Sequence, residues 1–239
     1  MQSHRKETIK TKVSLSQSVI FTIYPIFLTK FLFLDHSNLL TSTAYLPPLA
    51  WYLQAARSKS WQWEAHENYQ KGGYRNRCRI ATANGSRWLS IPLEKGKHQA
   101  TPIREVRISY SNDWPREHRR TIMSAYGRAP YFEFYAEPIF TLLDQKTLLL
   151  CSLNDSLQDL LNGWLMPPVT PSVTEAYRPG DQETPAVIDL RSSRQELPLQ
   201  PPSYPQLFTD RYGFQGNLSV LDLLFCQGPA AATYLRAHQ

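Results

Sequence analysis

Apolar positions along the chain fall into short blocks of differing period. Leu39–Leu46 (LLTSTAYL) is a compact apolar run stopped by Pro47-Pro48, which reads as a buried strand. Pro48–Arg57 (PLAWYLQAAR) follows as a short amphipathic helix, since a proline in the first helical turn forfeits no hydrogen bond. Trp61–His66 (WQWEAH) alternates like a second strand, so the opening is strand–helix–strand. Short strands are expected next at Tyr74–Ala81, Trp88–Leu93 and Glu105–Tyr110, with Asn84-Gly85 as the hairpin turn between the first two.

The middle of the chain carries a helical period over 111–128, 131–150 and 153–165. Turn residues before Trp114 and Gly127 at the far end are start and stop signals, and Ser152 or Asn154 is a candidate cap. Residues 166–206 are rich in proline and poor in apolar runs, which predicts a surface excursion with one strand near Pro168–Thr174. Asn217–Ser219 can cap a helix over SVLDLLF, Gly228-Pro229 breaks it, and a last helix runs to about Arg236. The expected fold class is α/β (mixed α+β): a strand–helix–strand opening, a small mixed sheet, a helical middle and two C-terminal helices.

The start of the chain stands apart. Residues 1–17 are polar and basic, and 18–34 (SVIFTIYPIFLTKFLFL) are almost wholly apolar. As a membrane anchor this stretch falls short of about 20 residues and is interrupted by Pro25 and Lys30. As a secretory signal it lacks a small-x-small cleavage site over Phe31–Asn38. An over-extended gene start is the favoured reading, because the foldable pattern begins abruptly at Leu39. The expected organisation is therefore an extension at 1–38 and a single domain at 39–239.

Composition narrows the partners. Cys78, Cys151 and Cys226 are far apart, which argues against a disulfide framework or a cysteine zinc site and fits a reducing, cytoplasmic setting. Half of the net charge of +6 lies in the first 38 residues, so the folded part is only mildly basic. Nucleic acid is thus not an expected partner, nor is a membrane for residues 39–239. Cofactors stay unassigned: the chain has no metal-spaced cluster, no G-x-G-x-x-G and no P-loop.

The segment HENYQKGGYRNRCRI (66–80) holds the most chemistry. On a strand over 74–80, Arg75, Arg77 and Arg79 would share one face, where an anion such as a phosphate or protein carboxylates must meet them. Lys71, Lys95 and Lys97 can add cations. His66 and Glu67, at a strand–loop junction, are candidate proton-transfer groups. Trp114 and His118 share a helix face, which suits either packing or a pocket wall. Asp222 lies in an apolar run, where a carboxylate needs a partner; an internal salt bridge or cap is the expectation.

The strings TSTAYLPPLAWYLQ, AHENYQKGGYRNRCRI, LSIPLEKGK, PIREVRISYSNDWPREHRRTIMSAYGRAPYFEFY and, at the end, YPQLF and GFQGNLSVLDLLFCQGP occur in that order. Together they resemble the WbqC-like protein family, from about Leu39 to the C-terminus. The resemblance implies a part in bacterial surface-polysaccharide (O-antigen, lipopolysaccharide) biosynthesis, with a nucleotide-linked sugar or similar anionic small molecule as ligand and a transferase as the enzyme class. It also singles out His66, Asn68, Tyr69, Lys71, Asn76, Arg77 and Asp222 as candidates. Family members often have Asn before the glycine of the last motif; here the order is Cys226-Gln227-Gly228. A non-catalytic scaffold that binds a protein partner in the same biosynthetic complex is the alternative.

Overall fold

The computed structural model describes residues 37–94, 101–179, 187–192 and 199–238. The leading segment up to residue 36 lies outside the described residues, as does the loop holding Lys95 and Lys97.

Strand β1 (Asn38–Thr41) is shorter than the apolar run that announces it, because the run continues as a buried coil to Leu46. Helix α1 (Leu49–Ala56) leads to β2 (Ser60–Trp63), which pairs parallel to β1 with Leu39 opposite Trp61. Every residue of α1 from Leu49 to Ala55 is buried. The expected amphipathic face is therefore absent, and α1 is a core helix enclosed on all sides.

The proline-rich region differs most from expectation. It supplies two strands, β5 (Pro171–Val173) beside β2 and β6 (Val187–Asp189) beside β1. All four strands run parallel in the order β5-β2-β1-β6. β5 falls within the strand expected near Pro168–Thr174, whereas β6, three residues long, is too short to display a period and was not expected.

A second sheet is the hairpin β3 (Arg77–Thr82) and β4 (Gly85–Ser90). Thr82 faces Gly85 across the turn residues Ala83 and Asn84, and Gly85 takes a φ of +93° that suits glycine. The strand expected at 105–110 is replaced by a 3-10 turn (Ile103–Glu105) followed by single bridges at Arg107 and Ile108.

Three helices follow: α2 (Trp114–Tyr126), α3 (Phe132–Asp144) and α4 (Leu150–Leu165). Helix α4 begins earlier than its candidate caps suggest. Asn154 is instead buried inside it, donating to Thr43 Oγ1 at 3.0 Å and to the Arg75 carbonyl at 2.9 Å. After the short α5 (Thr209–Tyr212), α6 (Val220–Gln227) is capped by the Ser219 hydroxyl, which accepts from the Leu221 N–H. Gly228 separates α6 from α7 (Ala230–Ala237) at φ +54°, and a Cβ there would sit 2.4 Å from the Tyr131 ring. The last motif is thus shaped by packing against Tyr131.

Trp114 and His118 do share a face of α2, and it is a packed one. The rings lie 5.1 Å apart, and the Tyr45 hydroxyl is 2.9 Å from His118 Nδ1. Burial carries the His118 pKa down to about 4, opposed by a backbone hydrogen bond at Ser90 and assisted by the Arg87 charge. Above pH 6.5 the ring is neutral folded or unfolded. Between pH 6.5 and about 4 only the unfolded chain takes the proton. Unfolding in urea across that window should therefore show stability falling with pH by up to about 3 kcal/mol from this residue. In a His118→Gln variant that limb should flatten.

Candidate functional site at the carboxyl edge of the parallel sheet

Because the four strands are parallel, they all end on one edge. From β1 the chain builds outward to β2 and β5, then returns to the opposite side of β1 with β6. Open α/β sheets bind ligands outside the carboxyl ends of their strands at such a reversal. The backbone ladder continues past the strand ends, with Glu64 N–H bonded to the Thr41 carbonyl and Leu190 N–H to the Leu40 carbonyl.

Much of this edge is a buried ionic network. Arg75 Nε and Nη2 donate to the two oxygens of Glu67 at 2.8 and 2.5 Å, with both side chains almost fully enclosed. Arg75 Nη2 also reaches the Arg191 carbonyl at 3.1 Å. Arg191 holds Asp189 through Nε and Nη2, and its Nη1 lies 3.4 Å from Glu64 Oε2. Glu64 in turn accepts from the Thr174 hydroxyl at 2.8 Å and the Arg178 N–H at 2.8 Å. Burial raises the Glu67 pKa, with the Arg75 hydrogen bonds opposing it. Arg75 Nη1 is buried without an acceptor among the described residues.

Beside the network lies a narrow cleft lined by Thr41–Ala44 after β1, Trp51 of α1, Trp61 and Trp63 of β2, Asn154, Asp155 and Gln158 of α4, and Pro171. It holds about 20 Å³, room for one water. The i, i+2 spacing of Trp61 and Trp63 puts both indoles on one side of β2. The buried Trp51 indole N–H has no hydrogen-bond partner among the described residues. Asp155 is solvent-accessible at this cleft. Partial burial and then the Asp159 charge raise its pKa to about 6, against the Arg104 charge. Arg104 itself stands 6.0 Å from the Trp63 ring.

The residues singled out from the sequence fall in several places. Glu67 and Arg75 meet directly in the network. His66 is exposed next to them, its Nε2 donating to the Thr174 carbonyl at 3.1 Å. Asn68 and Lys71 are exposed, while the Tyr69 hydroxyl donates to Asn76, whose amide donates to the Ile91 carbonyl. The three arginines do not share a face, because β3 begins only at Arg77 and Arg75 is drawn inward by Glu67. Arg77 and Arg79 do project together from β3. Arg77 caps the Gly72 and Gly73 carbonyls and stacks 4.2 Å over Trp88, and Arg79 donates twice to Ser86 Oγ.

Asp222 is fully buried in α6, where it accepts from the Tyr204 hydroxyl and the Gln206 amide at 2.7 Å each. The expected salt bridge is replaced by these neutral donors, and burial raises its pKa against them. Lys95 and Lys97 lie outside the described residues. Sequence reasoning missed Glu64, Asp155, Asp189 and Arg191. An acid on an exposed helix face carries no signal of its own, and Asp189 ends a strand too short to recognise, with Arg191 just beyond it.

The sequence profile of the WbqC-like protein family matches residues 43–196, more than half of the chain and all of the ionic network. This chain belongs to the WbqC-like protein family. The matched span is shorter at both ends than the motif resemblance, leaving β1 and the C-terminal helices beyond it. Among curated proteins, uncharacterized protein Rv1507c of Mycobacterium tuberculosis is 28% identical over 201 residues, covering 70% of this chain and 84% of that protein. No solved structure matches. Among the described residues of this WbqC-like protein, no helix is long and apolar enough to cross a membrane.

Removing one partner of a buried pair leaves the other charge uncompensated. Glu67→Ala should cost about 3–5 kcal/mol in urea denaturation, because it strands Arg75. Arg77→Ala should cost about 1–2 kcal/mol, since its stacking and carbonyl contacts are only partly enclosed.

Proposed function

We propose that this WbqC-like protein binds a nucleotide-linked sugar at the carboxyl edge of its parallel sheet and modifies it, as a cytoplasmic step of bacterial surface-polysaccharide biosynthesis. The observation that carries this reading is Asp155, an acid with a pKa near 6 at a tryptophan-lined cleft. Groups tuned toward neutrality in a cleft suit proton transfer. Flat indoles suit the apolar face of a sugar ring, and the amides of Asn154 and Gln158 with the hydroxyls of Ser42 and Thr43 suit its rim. Arg104, exposed beside Trp63, suits the phosphate of the carrier. The family's association with O-antigen genes supports the choice of pathway.

The cleft as it stands admits one water, so a sugar enters when the half-buried Trp63 swings outward. Binding should therefore change tryptophan fluorescence, and Trp63→Phe should remove most of that change.

The direct test is thermal denaturation with nucleotide-linked hexoses, free nucleotides and phosphate. A ligand that binds only the folded state raises its melting temperature, by a free energy of about 2.7 kcal/mol at 100 times Kd. A rise with one nucleotide-linked hexose, beyond that with the matching nucleotide, is expected. With that ligand as substrate, kcat/KM should rise with pH through an apparent pKa near 6 and lose this limb in Asp155→Asn. Silence across the panel, together with co-purification of a glycosyltransferase, would favour the scaffold reading instead.

A further inference from the structure

On the other sheet, an open cleft of about 480 Å³ separates the β3–β4 turn from α2. That size is ordinary for a small-molecule site. Its wall carries Thr82, Asn84, Ser86 and Arg87 from the hairpin and Arg120 and Ser124 from α2, with no carboxylate lining it. Arg120 is exposed and has no ion-pair or hydrogen-bond partner among the described residues. Arg87 lies 3.5 Å from Glu117, but both side chains are more than half exposed, and such surface pairs hold weakly. Two cations thus line a cavity whose wall carries no carboxylate among the described residues, with Glu117 beside Arg87 as a weak competitor.

The hairpin adds order. Ser86 Oγ accepts from Arg79 Nε at 2.8 Å and from Nη2 at 2.6 Å, which holds Ser86 on the Arg79 face of the hairpin. Arg87, one residue on and opposite Ile80, projects from the other face toward α2. The turn is also braced: Tyr212 and Arg211 donate to the Ala83 carbonyl at 2.9 and 3.3 Å. Bracing keeps the turn that carries Asn84 in place, so this side of the cleft is ordered before any ligand arrives.

Fork-shaped guanidiniums opposed only by the exposed Glu117 contact suit a phosphate monoester. We propose that this cleft binds the phosphate group of a small phosphorylated polyol, with Arg87 and Arg120 clamping the phosphate. Sugar phosphates and nucleoside monophosphates share this chemistry. The site is independent of the carboxyl edge, so either reading can fail without the other.

Calorimetric titration of the full chain at low ionic strength with inorganic phosphate, glucose 6-phosphate, adenosine monophosphate and glucose is the test. Either phosphate ester, and inorganic phosphate more weakly, should bind where glucose does not, and the stronger ester names the source. Affinity should drop at least tenfold in the Arg87→Ala/Arg120→Ala variant, whose replaced side chains are exposed, and stay unchanged in Asp155→Asn. Absence of phosphate binding, or unchanged affinity in the double variant, would overturn the proposal. So would tighter binding of a single-stranded oligonucleotide with a steep salt dependence, which would assign the cleft to nucleic acid.

Discussion

The buried contact between Glu67 and Arg75 constrains everything at the carboxyl edge. It joins the segment leaving β2 to the segment entering β3, and through the Arg191 carbonyl it reaches the end of β6. Such a pair contributes little net stability, because removing two charges from water costs about what their attraction returns. Its effect is on arrangement. With Arg75 drawn inward, its own carbonyl is placed to receive the Asn154 amide, which in turn holds Thr43 after β1. Four elements distant in sequence are thereby fixed around one buried guanidinium.

The same contact explains how far the sequence could be read. The strand–helix–strand opening, the hairpin, the helical middle and the C-terminal pair of helices were legible because each has a period or a cap, such as Ser219. In residues 166–206 only β5 was legible, near Pro168–Thr174; β6 was not, since its three residues are held by neighbours rather than by pattern. Alternation suggested that Arg75, Arg77 and Arg79 line up, but alternation holds only within a strand, and the pull of Glu67 ends that strand at Arg77. Asp222 was recognisable as a carboxylate in need of partners, whereas the identity of those partners, Tyr204 and Gln206, lay in the tertiary fold. Asp155 offered no signal, because its perturbation comes from partial burial in the tertiary fold and from Asp159 one turn along the helix.

Charge in this protein is sorted by depth. Arg75 and Arg191 are buried and matched by Glu67, Asp189 and Glu64, so they organise the structure. Arg104, Arg87 and Arg120 remain near the surface beside cavities, where a ligand can reach them. A family-level reading alone would treat all arginines in the matched region as equivalent anion ligands; burial separates those that shape the edge from those able to meet a phosphate. The proposed sugar site rests on the narrow tryptophan-lined cleft and the raised Asp155 pKa.

The most direct test of this account is hydrogen–deuterium exchange of the full chain with and without a millimolar mixture of UDP- and dTDP-linked hexoses. Slowed exchange concentrated in the backbone of Thr41–Ala44, Trp61–Glu64 and the first two turns of α4 is the predicted result. Unchanged exchange there, with or without protection at the β3–β4 turn, would contradict the placement of the sugar site at the carboxyl edge.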